Sequence, residues 1–456
     1  MDIAVIGAGY TGLVVASCFA EMGNKVVCLS TGVGSGSAAD PASDAPAQAA
    51  SGPDLAGVCE SGLDTQIRRN QQARRLSFSS DLQAGVKNAD ICIVAVGEPS
   101  ESQSILSESA ILECVSEFGK YLPADCLLLI KSTVSVGTAD RVSEVLNATR
   151  AQDQQIEVVS NPEFMKVGTA VSDFMSPDRI ILGCQSDQAK ERLTHLYQGF
   201  ARSRDKILFM GRKDAELTKF AATAMLATRI SLMNEIALIS EQFGADIEQV
   251  RRGIGSDSRI GYSFIYPGCG YGGAQFTGDV RGLIASAAEY GVEPLVLGAV
   301  EARNQSQKQR LFEKLCQRFG NDLNGRTVAI WGLAFKPGVE DMHESAAVPL
   351  IESLAKAGAR IKVYDPACDE NVLRGAISSQ IFDEGILECS QHQYDAALDA
   401  DALVLVTEWK PFRQPDFAVL KKLLKQPVIF DGRNQYDPAV LVELGFEYSG
   451  IGRVVG

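Results

Sequence analysis

Thirteen residues in the middle of the chain, Gly268–Val280, read GCGYGGAQFTGDV and combine residue types that could do chemistry. Five glycines let the backbone take positive φ and approach another group with no Cβ in the way. Cys269 offers a thiol, and Asp279 offers a carboxylate for acid–base work. Gln275, between them, is chemically mild. The stretch indicates an active-site loop but leaves open where its reactive group lies.

A second motif, GAGYTG, begins at Gly7 and follows the apolar run IAVIG. A helical pattern, LVVASCFAEMG, and a second strand-like run, KVVCLS, come next. This order of strand, GxGxxG turn, helix and strand is typical of a dinucleotide site, where the helix N-terminus takes the pyrophosphate. We therefore expect cofactor contacts from five residues of the turn: Gly7, Gly9, Tyr10, Thr11 and Gly12.

The residue after the second strand departs from that pattern. An acidic side chain normally binds the ribose hydroxyls there. This chain has Ser30, and no Arg stands nearby in the sequence to receive a 2′-phosphate. The motif thus predicts a dinucleotide-binding fold whose NAD binding is weak or lost.

The patterning along the chain predicts an α/β fold with two Rossmann-like doubly wound domains joined by a central helical domain with a long spine helix. We place the first domain at 1–205, the helical domain at 206–312 and the last domain at 313–456. Residues 31–57 are rich in Gly, Ala, Ser and Pro, so we expect a flexible insertion there.

Composition excludes several classes of function. A net charge of -14 and a pI near 4.9 disfavour nucleic-acid partners. No window approaches the roughly 20 apolar residues of a membrane span, and the first residues lack a secretory signal. The 11 cysteines form no CxxC pair, and the 3 histidines are dispersed, so we expect no metal site. These features predict a cytoplasmic protein.

Several segments together resemble the UDP-glucose/GDP-mannose dehydrogenase family over nearly the whole chain except 31–57. They are VIGAGYTGL, KSTVSVGTADRV, SNPEFMKVGTAVSDFMSPDRIILG, AELTKFAATAMLATRISLMNEIA, GSDSRIGYSFIYPGCGYGG, GLAFKPGVEDMHES, TEWKPF and FDGRNQYDP. The resemblance implies NAD as cofactor, a UDP-sugar as substrate and a homodimer built on the central helices. It also implies a four-electron oxidation of the sugar's primary alcohol to a carboxylate, through a cysteine thioester.

The chain departs from the family at functional positions. Gln275 stands where the family has its nucleophilic cysteine, and a carboxamide cannot form a thioester. Relatives also carry a cysteine at the place of Cys269 without using it. The other replacements are Ser30 for the ribose-binding acid, Glu98 for Thr, Val167 for Glu, Thr223 for Asn, Gly278 for Lys and His343 for Arg.

Other family positions are kept. The resemblance implies that Thr133 and Glu163 position water, that Lys219 approaches the sugar and that Asp279 assists acid–base steps. It places Val96 and Thr133 beside the cofactor. Substrate contacts are implied for Glu163, Phe164, Lys166, Lys219, Arg259, Phe264, Tyr266, Gly272, Lys336 and Arg433. The arginines among these fit phosphate, or alternatively serve only packing and the dimer interface.

Three hypotheses follow. The first is a pseudoenzyme that has lost the four-electron oxidation and binds a nucleotide sugar or assembles with an active paralogue or a polysaccharide-synthesis enzyme. The second is an active, divergent NAD-dependent dehydrogenase with a two-electron or otherwise altered reaction, because a thiol is needed only for the second oxidation. The third is a purely structural role with both pockets empty.

Overall fold

The computed structural model describes residues 1–31, 60–96, 107–148, 150–151, 154–201 and 206–453. Two predictions concern residues outside this part of the chain. They are the role of Glu98 and the flexible insertion at 31–57, of which only Thr31 is described. The chain divides into two compact units, Met1–Ala222 and Thr223–Gly456.

An eight-stranded sheet is the centre of unit 1. Its strands are β1 Asp2–Ile6, β2 Lys25–Leu29, β3 Leu76–Ser79, β4 Ile91–Val94, β5 Leu127–Ile130, β6 Glu157–Ser160, β7 Ile180–Gly183 and β8 Ile207–Met210. The order is β3-β2-β1-β4-β5-β6-β7-β8, and the only antiparallel pair in this sheet, as far as it is described, is β6 with β7. The first six strands have the order typical of dinucleotide-binding folds.

Helices cover both faces of this sheet. They are α1 Tyr10–Glu21, α2 Leu63–Gln72, α3 Leu82–Val86, α4 Glu108–Phe118, α5 Thr138–Asn147, α6 Ala170–Met175 and α7 Asp187–Tyr197. Alternate residues of β4 pack into two separate hydrophobic cores, Ile91 and Ile93 into one, and Cys92 and Val94 into the other. Burial on both faces explains why the strands are continuous apolar runs.

The predicted spine helix is α8, Arg212–Phe243, with 32 residues. Its residues up to Ala222 belong to unit 1 and the rest to unit 2. Within the described ranges, α8 alone has the length and apolar composition of a membrane span. One such helix is weak evidence, since core helices meet the same criterion.

Unit 2 combines helices with a six-stranded parallel sheet. Its helices are α9 Ile247–Gly255, α10 Ala274–Glu289, α11 Leu295–Lys308, α12 Arg310–Phe319, α13 Ala347–Lys356, α14 Glu370–Ala376, α15 Ser379–Asp383, α16 Gln393–Ala397, α17 Phe417–Leu423 and α18 Pro438–Glu443. Its strands are β9 Thr327–Trp331, β10 Arg360–Tyr364, β11 Leu387–Cys389, β12 Ala402–Leu405, β13 Val428–Asp431 and β14 Glu447–Gly450, in the order β11-β10-β9-β12-β13-β14.

The predicted fold class is therefore confirmed: two Rossmann-like sheets are joined by helical segments. The boundaries at 205 and 312 stay a prediction.

Candidate active site

The turn after β1 has the geometry of a pyrophosphate site. Gly7 has φ 112°, and a Cβ there would lie 2.3 Å from the Ala95 carbonyl oxygen. A Cβ on Gly12 would lie 1.9 Å from the Gly7 oxygen, so helix and strand need glycine to pack this closely. Gly9, the N-cap of α1, has nothing within 4 Å of its Cβ position, and the first turn of α1 carries no acidic residue. This open, positively polarised turn fits the pyrophosphate of NAD.

The other predicted cofactor residues surround this turn. The Tyr10 hydroxyl donates to Glu60 at 2.5 Å and accepts the Gly168 N–H at 3.2 Å, which ties α1 to the segment before α6. Thr11 is half-buried in α1, and the exposed Ser30 follows β2 directly. The carbonyl oxygen of the buried Val96 accepts the Ser132 hydroxyl at 2.8 Å.

Glu163 and Lys219 form a buried ion pair in unit 1. The Lys219 ammonium lies 3.0 Å from Glu163 Oε1, and the side chains are only 7% and 4% exposed. Burial alone would raise the pKa of Glu163, but Lys219, the Met165 N–H at 2.6 Å and Lys131 outweigh it and lower that pKa. Glu163 is therefore ionised at neutral pH and faces an ammonium group.

Sequence reasoning missed Lys131, the lysine that follows the apolar run LLLI of β5. Its ammonium is buried and donates to Asn161 Oδ1 at 3.2 Å, which also accepts the Tyr197 hydroxyl at 2.5 Å. Burial lowers the pKa of Lys131 to about 8, although Glu163 acts in the opposite direction. A cavity of about 230 Å³ is lined by these side chains, Lys131, Asn161, Glu163 and Tyr197, among others. A lysine directly after a buried strand was the available signal.

Thr133 lies beside this cluster. A small cavity of about 10 Å³ is lined by Thr133, Lys219 and Glu216 among others. That volume is close to what one water molecule needs. Glu216, also missed from the sequence, accepts the N–H groups of Gly137 at 2.6 Å and Ala139 at 2.9 Å. It thereby caps α5 and holds the loop that carries Thr133.

Phe164 and Lys166, predicted substrate contacts, follow Glu163 in the same segment. Two cations lie near the Phe164 ring, with the Arg179 guanidinium 3.7 Å and the Lys219 ammonium 5.6 Å from its centre. The Lys166 ammonium pairs with Asp173 at 3.2 Å. These contacts link the segment to Arg179 and Asp173.

In unit 2 the glycine-rich stretch is a buried support. Buried amides satisfy its backbone: Asn234 accepts the Gly268 N–H at 2.8 Å, and Gln307 donates to the Gly268 carbonyl at 2.7 Å. Asn304 bonds both the N–H and the carbonyl of Tyr271. Close packing explains why residue 272 is a glycine, because a Cβ on Gly272 would lie 2.4 Å from the Glu344 carbonyl oxygen.

This support leads directly into α10. Gln275 is the second residue of that helix and Asp279 lies one turn later, so their side chains share a face. Asp279 is buried and accepts the Thr223 hydroxyl at 2.9 Å. Gly278, which the resemblance aligns with the family's lysine, is buried, as are its sequence neighbours Thr277 and Asp279. Unit 2 thus brings Thr223 and Asp279 together at the start of α10.

Cys269 has the environment of a structural thiol. It is fully buried, its sulfur lies 3.6 Å from the Val406 carbonyl oxygen, and burial raises its pKa. A thiol that stays protonated is a poor nucleophile. Its position therefore supports the expectation that Cys269 is not a nucleophile.

The predicted substrate residues of unit 2 lie in different surroundings. Arg259 is 87% exposed and pairs with Asp257 at 2.6 Å. Phe264, at φ 58°, and Tyr266 are exposed on the same loop. Half-buried Lys336 lies 5.6 Å from the Phe335 ring centre.

Arg433 is held inside unit 2. Its guanidinium donates to the carbonyls of Val406 at 2.7 Å and Gly270 at 3.2 Å, and it lies 3.3 Å from Glu408. Arg433 therefore braces the glycine-rich stretch, and its substrate contact stays a prediction.

His343 also contacts this stretch, since its carbonyl accepts the Gly273 N–H at 2.9 Å. Its ring lies 2.7 Å from Asp341. Across the described ranges, no three His, Cys, Asp or Glu side chains are grouped so that they could hold a metal ion.

Comparison with known proteins places the chain in a family. Three models of the UDP-glucose/GDP-mannose dehydrogenase family match it: the NAD binding domain at 49–201, the central domain at 213–306 and the UDP binding domain at 329–438. The UDP-glucose 6-dehydrogenase of Pseudomonas aeruginosa is 45% identical over 456 residues, covering 99% of this chain and 98% of its own.

Two further relatives agree. The UDP-glucose 6-dehydrogenase of Rhizobium meliloti is 36% identical, over 99% of this chain and 100% of its own. The solved structure of a UDP-glucose dehydrogenase from Pyrobaculum islandicum aligns with a TM-score of 0.82 at 28% identity, over 99% and 98% of the two chains. Such identity over the full length, with models for all three parts, shows that this chain is a member of the UDP-glucose/GDP-mannose dehydrogenase family.

Proposed function

We propose that this chain is an active NAD-dependent dehydrogenase that oxidises the primary alcohol of a UDP-sugar by two electrons and stops at the aldehyde. The observation that carries the proposal is the buried Glu163–Lys219 pair beside a water-sized cavity that Thr133 also lines. Full-length identity of 45% to a UDP-glucose 6-dehydrogenase supports a retained activity. The match to a UDP binding domain supports the substrate class.

The residues of unit 1 can handle the hydroxyl proton of such a reaction. Bound NAD would supply the hydride acceptor, and Gly7, Gly9 and Gly12 would hold its pyrophosphate. The Lys219 ammonium would favour the alkoxide form of the substrate hydroxyl by its charge. The ionised Glu163 would take the hydroxyl proton directly or through one water. A two-electron oxidation would break the C–H and O–H bonds of the alcohol: the hydride would pass to the bound cofactor and the proton to Glu163 and then to solvent, so that aldehyde, NADH and H⁺ balance.

Gln275 is the reason to stop at the aldehyde. The second oxidation needs a covalent adduct that can lose a hydride and then be hydrolysed, and a carboxamide is too weak a nucleophile to form it. Burial of Cys269 removes the nearest thiol in the sequence as a substitute.

A second candidate function is a pseudoenzyme that binds a nucleotide sugar, or assembles with an active paralogue or a polysaccharide-synthesis enzyme. Gln275 and Thr223, where the family has Cys and Asn, favour it, as does Ser30 if NAD binding is weak. The sequence also predicts a cytoplasmic location and the three domains 1–205, 206–312 and 313–456, and both stay part of the proposal.

We further propose a homodimer through α8. Met225, Leu232 and Ile239 are 64%, 55% and 40% exposed, and their spacing of seven residues aligns them along one side of the helix. Light scattering of the wild type should give twice the 48.8 kDa chain mass. Leu232→Lys should give the monomer, whereas an exposed polar site on another helix, Ser116→Lys, should leave the dimer intact. A wild-type monomer would contradict the proposal.

The decisive experiment is a single-turnover reaction of stoichiometric protein with UDP-glucose and saturating NAD, followed by NADH absorbance. We expect one NADH per sugar. Two would show that the thiol is dispensable and that the oxidation runs to the acid. None, in a protein that still raises its melting temperature with UDP-sugar, would establish the second candidate instead. No NADH and no thermal shift with UDP-sugar, UDP or NAD would favour the purely structural role.

A further inference from the structure

The two Rossmann-like sheets share their geometry where the second strand ends. In each sheet the N–H of the glycine after the first strand donates to the last carbonyl of the second strand, at 2.8 Å in unit 1 and 2.9 Å in unit 2. The residue that follows this carbonyl is Ser30 after β2 and Asp365 after β10. Ser30 and Asp365 are therefore equivalent positions of two similar frameworks.

Asp365 shows what a carboxylate does at this position. Its Oδ2 accepts the N–H groups of Leu333 at 2.6 Å and Ala334 at 3.1 Å, and the Trp409 indole N–H at 2.9 Å. A full negative charge is thus directed at the turn after the first strand. In a dinucleotide site a carboxylate in this position accepts hydrogen bonds from the adenosine ribose and repels a phosphate on its 2′ oxygen.

Ser30 places no charge there. Its side chain is exposed, and its backbone N–H donates to the Ser79 carbonyl at 3.1 Å. Asp81, two residues after Ser79, accepts the Ala84 N–H through Oδ1 at 2.9 Å and so caps α3. Ser30 itself therefore supplies neither the acid that selects a free ribose nor a cation that selects a phosphate.

We propose that Ser30 abolishes the selection between NAD and NADP, so that this chain binds both dinucleotides with dissociation constants within about tenfold of each other. The proposal rests on the proposed function, because it concerns the same cofactor site. Loss of a ribose-binding carboxylate removes an attraction for NAD and a repulsion of the 2′-phosphate, and both changes bring the two affinities together. A hydroxyl can also donate to the phosphate or accept from the ribose.

The test is an equilibrium titration of the full chain with NADH and with NADPH, followed by the fluorescence of the bound nicotinamide at one fixed salt concentration. We expect wild-type dissociation constants within about tenfold. Ser30→Asp should weaken NADPH about 100-fold, because like charges are brought together, while NADH binding is unchanged or tighter. Ser116→Asp, which adds the same charge to an exposed site on α4, should change neither constant.

Three outcomes would overturn the inference. If the wild type prefers either dinucleotide by clearly more than about tenfold, the inference fails, and a preference for NADH leaves the proposed NAD-dependent function standing. If Ser30→Asp leaves the ratio of the two constants unchanged, Ser30 does not determine the selection. If neither dinucleotide binds the wild type, the inference and the proposed function fail together.

Discussion

In unit 1 the candidate residues are charged and held against one another, with the Lys219 ammonium on Glu163 at 3.0 Å and the buried Lys131 ammonium nearby. At the start of α10 in unit 2, by contrast, the uncharged Gln275 lies one turn before Asp279, which accepts the Thr223 hydroxyl. Charged groups stabilise the proton transfer of an alcohol oxidation, whereas a thiol is needed only to carry an acyl group. This difference is the basis of our proposal that the reaction stops at the aldehyde.

The largest effect is expected when the charge of Lys219 in unit 1 is removed. Lys219→Met leaves the buried Glu163 without its main counter-charge, so we expect the free energy of unfolding to fall by about 3–5 kcal/mol. NADH formation in a single turnover should fall by about 100-fold or more. Urea unfolding and rapid-mixing absorbance measure the two effects.

The control lies on the same helix. Lys213 is 66% exposed and 3.7 Å from Asp140, so Lys213→Met should cost less than about 1 kcal/mol. The double variant Lys219→Met with Glu163→Gln should recover much of the stability but no activity. Unchanged activity in Lys219→Met would refute the role of this lysine.

The rigidity of the support in unit 2 is tested by Gly272→Ala. The new Cβ would meet the Glu344 carbonyl oxygen at 2.4 Å, and a backbone atom cannot move aside easily. We expect a loss of about 2–3 kcal/mol in urea unfolding. Gly298→Ala is the matched control, because that glycine lies within α11 with nothing within 4 Å of its Cβ position. It should stabilise the protein by about 1 kcal/mol.

Glu344 predicts a pH dependence in the same support. Burial alone would raise its pKa, but ion pairs with Arg281 at 2.6 Å and Lys308 at 2.5 Å lower the pKa to about 2 from 4.5. Because the folded-state pKa is the lower one, the stabilisation is complete above about pH 5 and is lost as the pH falls through 4.5 toward 2. We expect about 2 kcal/mol after allowing for partial exposure.

The measurement compares wild type with Glu344→Gln between pH 3 and 7. The difference in the free energy of unfolding should be constant above about pH 5 and shrink below it. A difference that does not change over this range would show that the ion pairs of Glu344 contribute nothing to stability.

The smallest effect is expected from Gln275→Cys. Gly278 and Thr223 would remain where the family has Lys and Asn, so the added thiol lacks the groups that support its oxyanion. We expect still one NADH per sugar and a free energy of unfolding within about 0.5 kcal/mol of wild type, since the site is only half-buried. Two NADH per sugar would show that the cysteine alone was missing.

Much of the fold follows from local patterns. The runs IAVIG and RTVAIW each precede a glycine turn, and both became the central first strand of a sheet. Which strands lie beside them, by contrast, depends on pairing between distant segments, such as β1 with β4, which are more than 80 residues apart. The candidate site divides in the same way. Gln275, Asp279 and Lys219 are recognisable in the sequence, whereas the burial of Lys131 and Glu216 depends on distant segments.

What the sequence by itself determined is therefore the set of elements, their glycine turns and the residue types at the family's positions, because these depend on local backbone preference and on side-chain chemistry. What only the tertiary structure decided is protonation and packing. Burial in the folded chain lowers the pKa of Lys131 to about 8. The backbone of the glycine-rich stretch is hydrogen-bonded by Asn234, Asn304 and Gln307, which lie on other helices. Burial is a property of the whole fold, and no short stretch of sequence records it.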